Sequence, residues 1–286
     1  MSRGGKWGAW DLTVAHTAGR RRHLALDEVT LEVPAGQVAA VVGGDGAGKT
    51  TLLRCLTGAV RPRSGRVAAP SRREIGYMPA ATGVWRDLTV AENMEFVGSA
   101  HGIRGKELRR RRDALLEPAG LAHVLGRRAG NLSGGMLHKL AFSAAMLHRP
   151  RLLLLDEPST GIDPVSRIDL WRLISQTAVE GTAVALATTY LDEAERCATV
   201  LVLDAGRALR SGTPDEVIAG VPGTITAVRT PPDPELAWRR GRIFHAWHPG
   251  PPGPDERPIA PDMEDAVVAA ALHARHAAHD NERGHR

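Results

Sequence analysis

The chain has 286 residues, 43% of them hydrophobic, with 37 Lys and Arg against 32 Asp and Glu for a formal net charge of +5. That length and apolar content allow one large core or two smaller ones and exclude a wholly disordered chain. Two cysteines, Cys55 and Cys197, exclude a disulfide framework and a four-cysteine zinc site, and fit a reducing compartment.

The N-terminal ten residues lack the apolar stretch of a signal peptide. Residues 10–42 then read as strands. Val29-Thr30-Leu31-Glu32-Val33 alternates as a half-buried strand does. Pro34-Ala35-Gly36 breaks it, and Gln37 to Val42 is a short apolar run suited to a strand buried on both faces. A glycine-rich turn at Gly43 to Gly48 leads into a helix with Leu52, Leu53, Leu56 and Val60 on one face. From about 80 to 150 the pattern is mainly helical, with candidates at 88–97, 105–117 and 134–148. Leu152 to Leu155 is a strand, Val165 to Val179 a helix, Thr182 to Thr188 a strand and Asp192 to Cys197 a helix. Val200 to Leu203 and Arg207 to Leu209 flank Asp204-Ala205-Gly206 as a hairpin. Thr213-Pro214-Asp215-Glu216 is a helix start, with Thr at the N-cap and Glu three residues on. Beyond Gly220, prolines at 231, 232 and 234 and the stretch Pro249 to Pro254 predict a loosely ordered accessory segment, 221–286, closed by a short helix at Pro261 to Ala271. The remainder, 1–220, reads as one domain with a helical insertion at about 80–150.

No apolar run approaches the ~18 residues of a membrane span, so any membrane role is expected through a partner. The basic runs Arg20 to Arg22 and Arg109 to Arg112 lack interleaved aromatics, so solvated arginine is the better reading and nucleic acid is disfavoured as a partner.

Three motifs carry chemistry. Gly43-Gly44-Asp45-Gly46-Ala47-Gly48-Lys49-Thr50 fits the phosphate-binding loop at every fixed position, between a buried strand and a helix. Its glycines let successive N–H groups point at phosphate oxygens, and the helix adds its positive end. Lys49 is expected to reach the β- and γ-phosphates and the Thr50 hydroxyl to bind Mg²⁺, with Thr51 in the expected binding set. Leu152-Leu153-Leu154-Leu155-Asp156-Glu157 places two carboxylates at the end of a buried strand, where parallel sheets hold ligands. Asp156 is the candidate metal carboxylate. Glu157 is the candidate base for an attacking water, which with Lys49 makes the catalytic pair. Leu132-Ser133-Gly134-Gly135-Met136 reads either as an ordinary helix cap or as a second phosphate-binding helix start.

The order GGDGAGKT, LSGGM, LLLLDEPSTGIDP resembles the nucleotide-binding subunit of ABC transporters over about residues 10–215. The resemblance implies an α/β fold: a P-loop NTPase core with a mixed sheet, an antiparallel edge subdomain and an inserted helical subdomain. It implies ATP and Mg²⁺ as ligands, and a dimer in which each ATP lies between the P-loop of one subunit and Ser133, Gly134 and Gly135 of the other. Asp163 matches the family's D-loop aspartate. A separate membrane permease would dock near Ala80 to Val97, holding the chain at the inner face of the cell membrane. Pro261-Asp262-Met263-Glu264-Asp265-Ala266-Val267-Val268 resembles the closing segment of multidrug-type exporters, with Met263 and Val267 where Leu and Phe are usual and an ordinary amphipathic helix as the equal alternative. Three positions depart from the family: Ala80 stands where a glutamine is usual, Thr189 where a histidine is usual, and Asp45 where an asparagine is frequent. His16 aligns with an adenine-stacking aromatic. The expected function is ATP hydrolysis powering export. The alternatives are a degenerate subunit that binds ATP with little hydrolysis in an asymmetric heterodimer, and a non-transport ABC ATPase.

Overall fold

The protein is described here from a computed structural model, which covers residues 6–18, 21–254 and 256–284. Its main sheet has six strands in the order β5-β6-β7-β3-β8-β9. These are β3 (Val38–Val42), β5 (Ile75–Met78), β6 (Leu152–Asp156), β7 (Ala183–Thr188), β8 (Thr199–Asp204) and β9 (Arg207–Gly212). The first five run parallel, and β9 returns antiparallel from β8 through the Ala205-Gly206 turn. Every residue of β3, β6 and β7 is buried. Helices cover both faces of this sheet, which is why those strands read as unbroken apolar runs.

On one face, α1 (Lys49–Leu56) inserts Leu52, Leu53 and Leu56 beneath a second, antiparallel sheet. That sheet has the order β2-β1-β4, built from β1 (Trp7–Ala18), β2 (Arg21–Val33) and β4 (Ser64–Ala68). On the other face, α5 (Pro164–Val179) packs Leu170, Ile174 and Ala178 against Val184 and Leu186.

The inserted subdomain comprises α2 (Val90–Ala100), α3 (Gly105–Leu116) and α4 (Gly134–Met146) around Val90, Met94, Leu116, Leu121, Leu140 and Leu147. A reciprocal cap starts α2: Thr89 N donates to Glu92 at 2.7 Å and Glu92 N to Thr89 Oγ1 at 3.2 Å. Buried Asn93 pins the preceding loop by accepting from Trp85 N at 2.9 Å and donating to Trp85 O at 3.0 Å. On α3, Arg110 and Arg111 both pair with Glu107.

Where α4 meets the sheet, His148 Nε2 donates to the Ile75 carbonyl at 3.0 Å and its ring stacks on His101 with centroids 3.9 Å apart. Burial, with His101 and Arg111 adding to it, pushes His148 from the usual 6.5 down to about 4. The folded chain therefore keeps this ring neutral at pH values where the unfolded chain protonates it. Its contribution is present above pH 6.5 and is lost as pH falls toward 4. The melting temperature should drop on acidification from pH 7 to 4.5, and His148→Gln should flatten that slope in a thermal scan.

Residues 221–260 are not the loosely ordered segment the prolines suggest. They form a third sheet of order β10-β12-β11, from β10 (Thr224–Val228), β11 (Ala237–Arg240) and β12 (Ile243–His248). The prolines at 231, 232 and 234 fall in the connection between β10 and β11 and leave the ladders intact. The closing helix is also longer than expected, with α8 running Met263–Gly284. Its first turns bury Met263 and Ala266 in the α5-side core, along with Val217 of α7 (Pro214–Ala219). One turn further, Ala269 packs with Ile225 and Trp247 of the third sheet. A short helix, α6 (Leu191–Ala194), completes the fold.

Candidate active site at the glycine-rich loop

The loop between β3 and α1 is shaped by what cannot fit there. A Cβ on Gly43 would lie 2.1 Å from the Leu203 carbonyl oxygen. A Cβ on Gly48, whose φ is +108°, would lie 2.6 Å from that of Ala25. Only glycine allows this approach and this backbone. Gly44, Asp45 and Gly46 are exposed, and Ala47 anchors the loop through Ala47 N to Gly44 O at 3.2 Å. The first N–H groups of α1, from Lys49 to Thr51, open onto a cleft of about 310 Å³ lined by His23, Ala25, residues 44–51 and Glu157.

Four candidate side chains from two distant parts of the sequence meet here. Lys49, 5% exposed, donates from Nζ to the carbonyls of Gly43 at 2.7 Å and Gly44 at 3.1 Å, and stands 3.4 Å from Glu157 Oε1. Thr50 Oγ1 donates to Asp156 Oδ1 at 3.0 Å. Tyr77 OH donates to Asp156 Oδ2 at 3.3 Å. Burial raises the Asp156 carboxyl above its ordinary range, the two hydroxyls pull it back, and neighbouring Glu157 raises it again. The Tyr77 phenol is raised by its own burial and by the Asp156 charge, against the opposing pull of Arg54. Glu157 leaves β6 with φ +49°, its second oxygen accepting from Thr160 Oγ1 at 3.2 Å. A carboxylate and a hydroxyl oxygen side by side form a hard-oxygen donor pair, which suits Mg²⁺. The cluster thus presents a cation, a metal-type oxygen pair and a carboxylate lining the cleft, beside a loop of backbone donors.

Ser133, Gly134 and Gly135 are not in this cleft. Ser133 caps α4, accepting from Met136 N at 3.3 Å, and Ser133 and Gly134 are exposed. Gly135 is buried against α5, where a Cβ would lie 2.1 Å from Ser166 Oγ. Asp163 caps α5, accepting from Ser166 N at 3.0 Å. Ala80 and Thr189 are both exposed, just after the ends of β5 and β7. The His16 side chain lies outside the described residues, but its strand partner His23 lines the cleft.

Two residues in this region were given no role from the sequence. Tyr77 is one. Glu193, 2% exposed, is the other; it accepts from Thr188 Oγ1 at 2.7 Å and from the Ser159 hydroxyl, joining the loop after Glu157 to the end of β7. Among the described residues, no helix is long and apolar enough to cross a membrane.

Comparison with known proteins places this geometry. The family model described as ABC transporter matches residues 26–160. The chain is 38% identical over 209 residues to the probable multidrug ABC transporter ATP-binding protein YbhF of Escherichia coli, covering 70% of this chain and 36% of that protein. It is 37% identical to the daunorubicin resistance ATP-binding protein DrrA3 of Streptomyces coeruleorubidus, covering 70% and 66%. It is 35% identical to the Nod factor export ATP-binding protein I of Cupriavidus metallidurans, covering 68% of each. The chain thus spans about a third of the length of the Escherichia coli relative. Among solved structures, an ATP-binding subunit of an ABC transporter superposes with a TM-score of 0.67 at 29% identity, over 75% of this chain and 92% of that one. The identity extended over two thirds of the Nod factor export protein, together with the shared α/β core, shows that this chain belongs to the ABC transporter family of ATP-binding proteins.

Proposed function

We propose that this chain binds ATP with Mg²⁺ and hydrolyses it to ADP and phosphate, driving an export system through a separate membrane permease. The observation that carries the reading is the meeting of Lys49, Thr50, Asp156 and Glu157 at the mouth of the glycine-rich loop. In this reading the loop N–H groups from Gly44 to Thr51 and the Lys49 ammonium bind the phosphates. Thr50 and Asp156 hold the metal, which supplies charge neutralisation at the transferred phosphoryl group. Glu157 orients the attacking water and takes its proton. Purified chain supplied with Mg-ATP should release phosphate; a chain that binds no nucleotide overturns the proposal.

Export is supported by the relatives named for multidrug resistance, daunorubicin resistance and Nod factor export. A second subunit is supported by the exposed position of Ser133 and Gly134, away from the cleft they would serve. These groups would complete the site of a partner copy or of a homologous subunit. Residues 1–220 form the ATP-binding domain in this scheme, with 221–286 as an accessory unit. The chain would sit at the inner face of the cell membrane through its permease.

The docking face proposed for the permease is the groove of about 270 Å³ between β5 and α2, lined by Pro79, Val84, Trp85, Phe96 and Val97. Trp85 is 58% exposed and Phe96 52%, with their rings edge to face at 5.7 Å. An exposed aromatic pair of this kind is a typical interface anchor. Trp85→Glu should weaken co-purification with the permease at least tenfold, about the cost of one interface hot spot, with nucleotide binding unchanged. Undiminished complex formation would rule this face out.

A second reading is supported at two positions. Ala80 has no side-chain donor or acceptor, and Thr189 is shorter than a histidine and cannot carry charge. Both weaken the arrangement around an attacking water. Under this reading the chain binds ATP tightly, turns it over slowly, and completes a competent site on an unlike partner through Ser133 to Gly135. Tight binding without phosphate release by the purified chain selects it.

A further inference from the structure

Asp156 is 1% exposed and has both carboxylate oxygens occupied by hydroxyl groups. The Thr50 hydroxyl donates to one oxygen from the first turn of α1. A hydroxyl has one proton and two lone pairs. Thr50 can therefore keep this bond while presenting a lone pair to a cation. The other oxygen is held by Tyr77 alone among the described residues. Tyr77 comes from the edge strand β5, whose register places it opposite Leu154, two residues short of Asp156. That offset is about 6.6 Å along a strand. A serine or threonine hydroxyl could not cross it, whereas a phenol does. The Tyr77 ring is half-buried against the core on the α1 side, so the hydroxyl is held from a fixed base.

We propose that Tyr77 is a positioning residue for the metal carboxylate, its hydroxyl fixing Asp156 Oδ2 so that the carboxylate and the Thr50 hydroxyl present their oxygens together to Mg²⁺. The inference deepens the function proposed above and rests on the reading of Asp156 as the metal carboxylate. Tyr77 also lines the groove beside Pro79 and Trp85, so one residue borders both the proposed docking face and the metal carboxylate. Its role does not depend on a glutamine at position 80.

The test is a fluorescent ATP analogue bound to the full chain, first in EDTA and then titrated with Mg²⁺. Tyr77→Phe keeps the ring and removes only the hydroxyl. Its affinity in EDTA should stay within twofold of the parent, and its melting temperature should fall by no more than the few degrees that one lost hydrogen bond costs. The Mg²⁺ concentration that half-saturates the metal-dependent change should rise about tenfold, as expected for losing one hydrogen bond to a charged group. In an Asp156→Asn background the same substitution should have no further effect, because the group it positions is gone. A Mg²⁺ titration that superimposes on the parent's overturns the role of Tyr77. So does an equal loss of affinity in EDTA, which would mark a general packing defect. A parent chain whose analogue binding ignores Mg²⁺ overturns the reading of Asp156 instead, and this inference with it.

Discussion

Glu157→Gln is expected to lower phosphate release by about 10²- to 10⁴-fold, the usual contribution of a positioned general base, while nucleotide binding persists. The side chain is well placed for such a separation of effects. One oxygen accepts from Thr160 at 3.2 Å and the other lies 3.4 Å from the Lys49 ammonium. A glutamine fills the same volume and keeps an oxygen for either contact, but has no basic site for a proton. The backbone at this residue has φ +49°, a conformation that costs free energy for a non-glycine residue, and the Glu157 N–H bond to Ala187 O at 2.8 Å holds it there. The substitution leaves that backbone alone. Phosphate release measured under single-turnover conditions checks the effect, with analogue binding as the control. Turnover within threefold of the parent would remove Glu157 from the role of base.

Trp247→Ala is expected to cost about 3–5 kcal/mol, the range for truncating a fully buried tryptophan. Trp247 is 1% exposed, its indole N–H donates to the Pro222 carbonyl, and it packs with Ile225 and Ala269. His273 and His276 meet its ring edge to face at 6.0 and 6.1 Å. The loss should fall on the third sheet and the later turns of α8, since few other large buried side chains support them. The first turn of α8 belongs to a different cluster through Met263 and Ala266. Hydrogen exchange should therefore show protection lost over β10–β12 and beyond Ala269, with the six-stranded sheet still protected. Protection lost equally through β3, β6 and β7 would show instead that the two regions unfold as one unit.

The core of the fold was legible because its strands are buried on both faces. Val38–Val42 and Leu152–Asp156 carry no alternation to obscure them; the first runs straight into the glycine-rich loop and the second ends in Asp156. The loop was legible because sterics leave glycine as the sole choice at Gly43 and Gly48. Contacts set by register were hidden. Tyr77 reaches Asp156 only because β5 lies beside β6 in one alignment. His23 reaches the cleft through the pairing of β1 and β2, which sets it opposite His16 and which no local pattern reveals. The third sheet was hidden by its prolines, although Ile243–His248 after the Gly241 turn carries a short strand signal. The length of α8 was underestimated despite an alanine-rich run with high helix propensity and a reciprocal cap between Asp262 and Asp265.

The strand order also sets a timetable for synthesis. β3 leaves the ribosome early, yet both of its neighbours, β7 and β8, begin only at residues 183 and 199. At ~5–20 residues per second, a wholly apolar strand waits on the order of ten seconds for any partner. The edge hairpin of β1 and β2 can close at once, since its contacts are local, and can cover part of that strand meanwhile. Nascent chains of this protein should therefore depend on chaperones most between the emergence of Val42 and that of Asp204, and aggregation on overproduction should track the speed of translation through that interval.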